Sequence, residues 1–163
     1  MGEKLFDLTN PQKAIWLTEQ FYKGKNINNI CATLTIKQKI DINKLSSAIN
    51  IFIKSNKSFS IRLKIVDNEP KQYFSVLPEL SFELFEFNDY KEVKQLALTT
   101  SNELFDIEKD ILFKFKLFHF KNGYGGFVVM LHHLIGDAGT MSLVGKQITQ
   151  IYSNLVNRTG CYY

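Results

Sequence analysis

Cysteine is nearly absent from this 163-residue chain, which carries only Cys31 and Cys161. They lie far apart and match no metal or redox spacing, so no disulfide scaffold and no cysteine-held metal is expected. They read as reduced thiols of a cytoplasmic protein. Arginine is scarce too: Arg62 and Arg158 stand alone, and lysine supplies nearly all the positive charge of a +4 chain. The lysines are dispersed, and no helix-turn-helix or zinc-finger spacing appears, so nucleic acid is not an expected partner. No apolar run reaches the length of a membrane helix. The start, Met1-Gly2-Glu3-Lys4, lacks a signal-peptide core. Gly123, Gly125 and Gly126 precede a strand-like run and not a helix, which excludes a dinucleotide or phosphate loop. No Gly-x-Ser-x-Gly elbow is present, and no internal repeat or linker divides the chain.

What is present is a globular composition: 45% hydrophobic residues, with fourteen Phe and seven Tyr to bury. Thr9 or Asn10 can cap a first helix through Phe21, with Pro11 in its first turn. Ile30–Ile36 is rich in β-branched residues and predicts a strand. Asp41 caps a second helix whose stripe is Ile42, Leu45, Ile49 and Phe52. Phe59–Val66 and Lys71–Val76 read as a hairpin about Asp67–Pro70, and Ser81–Phe87 as a further strand. A helix follows from Asn88 or Asp89 to about Leu104. Ile111, Phe113, Phe115, Leu117 and His119 share one face of the next strand, opposite Lys114 and Lys116. His119, at the end of that apolar face, reads as an edge or structural histidine. These elements predict an α+β fold: a two-layer sandwich of a mixed, largely antiparallel sheet with helices packed on one side.

The chemistry is expected where the last strand ends. Gly126-Phe-Val-Val-Met-Leu131 leads into His132-His133-Leu-Ile-Gly-Asp137, and a helical stripe of Met141, Val144, Ile148, Ile151 and Leu155 follows. Strand alternation puts His132 and His133 on opposite faces, so they cannot act side by side on one atom. One is expected to meet substrate as a general base, the other to be packed or hydrogen-bonded inside. Asp137 lies in a turn that Gly136 and Gly139 permit. Its carboxylate could orient an imidazole, cap the next helix, or brace the turn by pairing with an arginine.

The segment His132-His133-Leu134-Ile135-Gly136-Asp137-Ala138 resembles the HHxxxDG motif of condensation domains in nonribosomal peptide synthetases, relatives of chloramphenicol acetyltransferase. Gln12 and Trp16 are similar to a first motif of that family, and Leu63, Pro70 and Gln72 to a second. The resemblance runs over about residues 5 to 157 and implies a chloramphenicol-acetyltransferase-like lobe, with residues 1–163 as a single lobe. It implies amide-bond formation between an acyl thioester and an aminoacyl amine, both carried on phosphopantetheine arms of carrier proteins. No tightly bound cofactor is implied. His133 would be the base or the group that positions the amine, and a C-terminal lobe would complete the site.

Two departures stand out. Ala138 replaces the motif glycine, a costly change if that position needs φ > 0, unless Gly139 takes over the turn. Ser60 falls where the family has an arginine, and Arg62, two residues on, is expected to reach Asp137 instead. The closing Arg158–Tyr163 reads as a cut or a degenerate tail. Other readings are a homo-oligomeric acyltransferase using coenzyme A or carrier donors, and a non-catalytic lobe.

Overall fold

The computed structural model describes residues 4–159. Cys161 and most of the closing segment lie outside them. A two-residue strand β1 (Phe6–Asp7) precedes helix α1 (Asn10–Phe21). Strand β2 (Asn29–Ile36), helix α2 (Ile42–Ser55) and a 3-10 turn (Lys57–Ser60) follow. Strands β3 (Ile61–Val66), β4 (Glu69–Phe74) and β5 (Glu83–Phe87) come next. Helix α3 (Tyr90–Ser101), strands β6 (Phe113–Phe120) and β7 (Gly125–His132), and helix α4 (Ala138–Thr159) complete the order.

Two sheets form. β1-β4-β3 is a small antiparallel sheet, and β2-β7-β6-β5 is mixed, with only β5 and β6 running parallel. The mixed, largely antiparallel character is the one predicted; the split into two sheets is not. The β3–β4 hairpin turns on Asp67 and Asn68, both at positive φ (52° and 63°), as a two-residue turn matched to strand twist requires.

The local signals for the helices act as written. Thr9 and Gln12 form a reciprocal capping box on α1, and the Asp41 side chain accepts from the Lys44 amide at the start of α2. α2 buries Leu45, Ala48, Ile49, Phe52 and Ile53, and α4 buries Val144, Ile148 and Tyr152 against the same core. The two helices are tied at both ends of α2, where the Tyr152 hydroxyl accepts from the Asp41 amide at 2.9 Å and Asn56 Nδ2 donates to Gln147 Oε1 at 3.3 Å.

Helices on one side of the sheet is where expectation and structure differ. Every residue of β7 is buried, so both its faces must be covered. Phe127, Val129 and Leu131 enter the α2–α4 core. Val128 turns the other way and packs with Phe118 under Val93 and Leu96 of α3. Lys114 and Lys116, expected on an open face, instead grip one carboxylate there. Lys114 Nζ lies 2.6 Å from Glu103, and Lys116 binds the same group. Cys31 sits on this covered face, and burial pushes its thiol up to about 11, which makes it a poor nucleophile. His119 lies at the β5 side, its Nε2 3.5 Å from Glu86 Oε2. Among the described residues no helix is long and apolar enough to cross a membrane.

Candidate active site

The paired β-strand ends at His132, and residues 133–135 turn away before α4 begins. Strand alternation therefore stops one residue early. His132 is buried at 2% exposure, whereas His133 stands exposed on the turn and not over the core beside Leu131. Main-chain bonds hold the two residues in place: His132 donates to Leu112 and His133 to Asn28, each at 2.9 Å.

The His132 ring has partners at both nitrogens. Its Nδ1 accepts from the Leu134 amide at 3.2 Å, which leaves the proton on Nε2. Nε2 then donates to Glu19 Oε1 at 3.0 Å. The same oxygen accepts from Asn28 Nδ2 at 2.7 Å, and the Phe105 ring stands edge-on to the imidazole with centroids 5.9 Å apart. Burial holds the His132 pKa below the ordinary 6.5, and the Glu19 carboxylate only partly offsets it. His132 is thus a neutral structural imidazole. The His133 ring makes no hydrogen bond among the described residues, so its nitrogens face solvent.

Helix α1 clamps the turn at two points. Glu19 takes His132, and Gln12 Nε2 donates to the Leu134 carbonyl at 3.1 Å. Gln12 is paired in turn with Gln72 of β4, their amides exchanging bonds at 3.0 and 3.1 Å. Gln72 reaches on to the Asp7 carbonyl at 2.9 Å. Gln12, Asn28 and Leu112, from three separate sequence segments, therefore each bond the backbone of residues 132–134. Glu19 and Asn28 escaped the sequence reading. A signal existed: positions 12, 16 and 19 fall on one helix face, and a carboxylate on a stripe that also carries Trp16 is out of place unless it has a buried partner.

Of the three roles open to Asp137, the structure shows the cap. Its Oδ1 accepts from the Thr140 amide at 2.8 Å and from the Thr140 hydroxyl at 3.0 Å, while that hydroxyl accepts from the Asp137 amide. The bonds to Thr140 hold its carboxyl below the usual carboxylate range. The expected brace to Arg62 is not formed. Arg62 is buried on β3 and donates Nη1 to the Ile61 carbonyl at 2.8 Å, and no ion pair joins it to Asp137 among the described residues. Asp137 is exposed and its inner oxygen is already taken. Asp137→Ala is expected to lower the melting temperature through the lost cap. Combined with Arg62→Ala in a double-mutant cycle, it should show no measurable coupling; a clear coupling energy would restore the brace.

The turn also needs no left-handed residue. Gly24 and Gly123 are the described glycines at positive φ; Gly136 and Gly139 are not among them. Gly139 lies in the first turn of α4, and Ala138 opens that helix, so alanine carries no conformational cost there. Gly136 is required for a different reason: a Cβ would sit 2.8 Å from Thr140 Cγ2.

With this geometry in view, the comparisons with known proteins are consistent. The model of the condensation domain family matches residues 3–160. Surfactin synthase subunit 1 of Bacillus subtilis (strain 168) is 30% identical over 162 residues, covering 93% of this chain and 4% of that protein. Tyrocidine synthase 3 of Brevibacillus parabrevis is 24% identical over 143 residues, covering 87% and 2%. The crystal structure of the starter condensation domain of rhizomide synthetase superposes with a TM-score of 0.84 at 18% identity, covering 94% of this chain and 38% of that one. The first condensation domain of the CDA synthetase gives 0.84 at 17%, with 96% and 42% covered. The chain spans less than half the length of each of these proteins.

Proposed function

Because the chain belongs to the condensation domain family, we propose that it forms the histidine-bearing lobe of a site that joins carrier-bound thioesters through an amide bond. The observation that carries this reading is the division of labour between adjacent histidines. His132 is neutral and bonded at both nitrogens, and His133 is exposed with a free ring. His133 then takes the proton of the attacking aminoacyl amine, or holds that amine against the acyl carbonyl of the partner thioester; the C–N bond forms as the thioester C–S bond breaks, and the released phosphopantetheine thiolate takes up the proton. Asp137 does not act on the imidazole; it fixes the start of α4, and Gly136 lets the turn close on Thr140. Both substrates arrive on phosphopantetheine arms of carrier proteins, and no tightly held cofactor enters.

The exposure of His133 means that this lobe supplies one wall of the site and a second surface must supply the other. A C-terminal lobe is the family's solution. A neighbouring copy of the chain, as in an oligomeric acyltransferase, is the alternative. Light scattering separates them: a monomer favours the two-lobe arrangement, and a closed oligomer favours the second. The chemistry is tested by turnover of the complete site with carrier-loaded and coenzyme A-loaded acyl donors. Product is expected from the carrier-loaded donor, and none with His133→Ala. Undiminished product in that variant would remove His133 from the mechanism.

A further inference from the structure

The α3 face of the four-stranded sheet carries a second concavity, remote from His133. α3 covers the middle of that face with Val93 and Leu96. Beyond its N-terminus the sheet continues uncovered, and a cavity of about 710 Å3 opens there. That size suits a small organic ligand. Its lining includes Thr35, Lys37, Tyr90, Phe120, Lys121 and Tyr124. In the β2–β7 register Asn29 pairs with His132 and Thr35 with Gly126, which puts the cavity six residues away, roughly 20 Å along the strand.

Two observations bear on what it takes. Lys37 and Lys121 enter no ion pair among the described residues, and with Asp89 as the one carboxylate in the lining the rim keeps a net positive charge. Tyr90, Phe120 and Tyr124 offer flat apolar walls, and Lys94 Nζ sits 5.9 Å from the centre of the Tyr90 ring. The helix end itself is not an anion site. Asp89 already accepts from the Lys91 and Glu92 amides, and Glu92 from those of Asn88 and Asp89. An anion must therefore pair with the lysines.

We propose that this cavity binds a small planar aromatic carboxylate, with its ring among Tyr90, Phe120 and Tyr124 and its carboxylate at Lys37 and Lys121, on the side away from Asp89. The site is independent of the His133 chemistry and stands or falls apart from it. The probe is 2-naphthoate, titrated into the isotope-labelled chain and followed by amide NMR shifts. Saturable shifts are expected at Thr35, Tyr90 and Tyr124, with none over residues 132–137. The uncharged 2-naphthamide should bind about ten-fold more weakly, the loss expected for one ionic hydrogen-bonded contact. Lys37→Gln with Lys121→Gln, both at exposed positions, should reproduce that loss with the fold unchanged. Absence of saturation, equal affinity for the amide, or shifts confined to the histidine turn would each overturn the proposal.

Discussion

His132→Ala is expected to destabilise the fold by roughly 3 kcal/mol, while His133→Ala changes stability by less than about 0.5 kcal/mol. The two residues are neighbours and chemically identical, so the contrast arises from placement alone. Removing the His132 ring strands the Leu134 amide, takes one of two partners from Glu19, and leaves a void under Phe105. Each buried group left without a partner loses its desolvation energy unrecovered. For a domain of this size, roughly 3 kcal/mol corresponds to a fall of about 6–12 °C in the melting temperature. The His133 ring has no bonded partner to lose. Urea denaturation of the two variants reads the difference directly. Turnover should sort them by another rule, with His133→Ala folded and inactive. Equal stability losses would contradict the division of roles on which the functional reading rests.

The second large effect is at Glu19. Glu19→Ala leaves the Nε2 proton of His132 and the Nδ2 group of Asn28 without their shared acceptor, at an expected loss of about 2 kcal/mol. Glu19→Gln keeps an acceptor oxygen and should lose less than half of that. The pH dependence follows from the direction of the His132 shift. Its folded pKa is below 6.5, chiefly through burial. As pH falls through 6.5 the unfolded chain gains a proton that the folded chain refuses, so stability declines on the acid side and is fully present above that value. Glu19 pulls the pKa back up; without it the folded pKa drops further and the acid decline extends to lower pH. Replacing His132 with Gln removes that term from the acid limb. Denaturation midpoints measured across a pH series test both claims. An acid limb identical in wild type and the His132 variant would show that His132 does not titrate with folding.

Much of the architecture was legible because it is written in short-range chemistry. Thr9, Asp41 and Asp89 each announce a helix start by a side chain that reaches an amide two or three residues on. The apolar stripes of α2 and α4 and the alternation of β6 follow from the periods of helix and strand. The site segment was legible for the same reason, as an apolar strand running into paired histidines and a small-residue turn. The errors came at the edges of those rules. Alternation holds only while a strand is paired. It ends at His132, so His133 swings to solvent where an extended strand would have placed it over the core. Arg62 was aimed at Asp137 by strand parity with Ser60, but Ser60 lies in a 3-10 turn and the strand begins one residue later.

The sequence by itself determined the element types, their caps, the apolar faces and the location of the histidine pair, because each depends on residues within a few positions of one another. Tertiary structure alone decided which histidine is locked and which is free. That choice depends on Glu19 and Asn28, more than 100 positions upstream of His132, and on a turn held by Gln12 of the same helix as Glu19, itself braced by Gln72 of β4. It also decided that both faces of β7 are covered, and that Lys114 and Lys116 meet Glu103, just past the end of α3, as a half-buried cluster. A side chain's spacing along the chain states which face it occupies; only the packed neighbour states whether that face is dry, and a dry face is what turns an imidazole into a structural group.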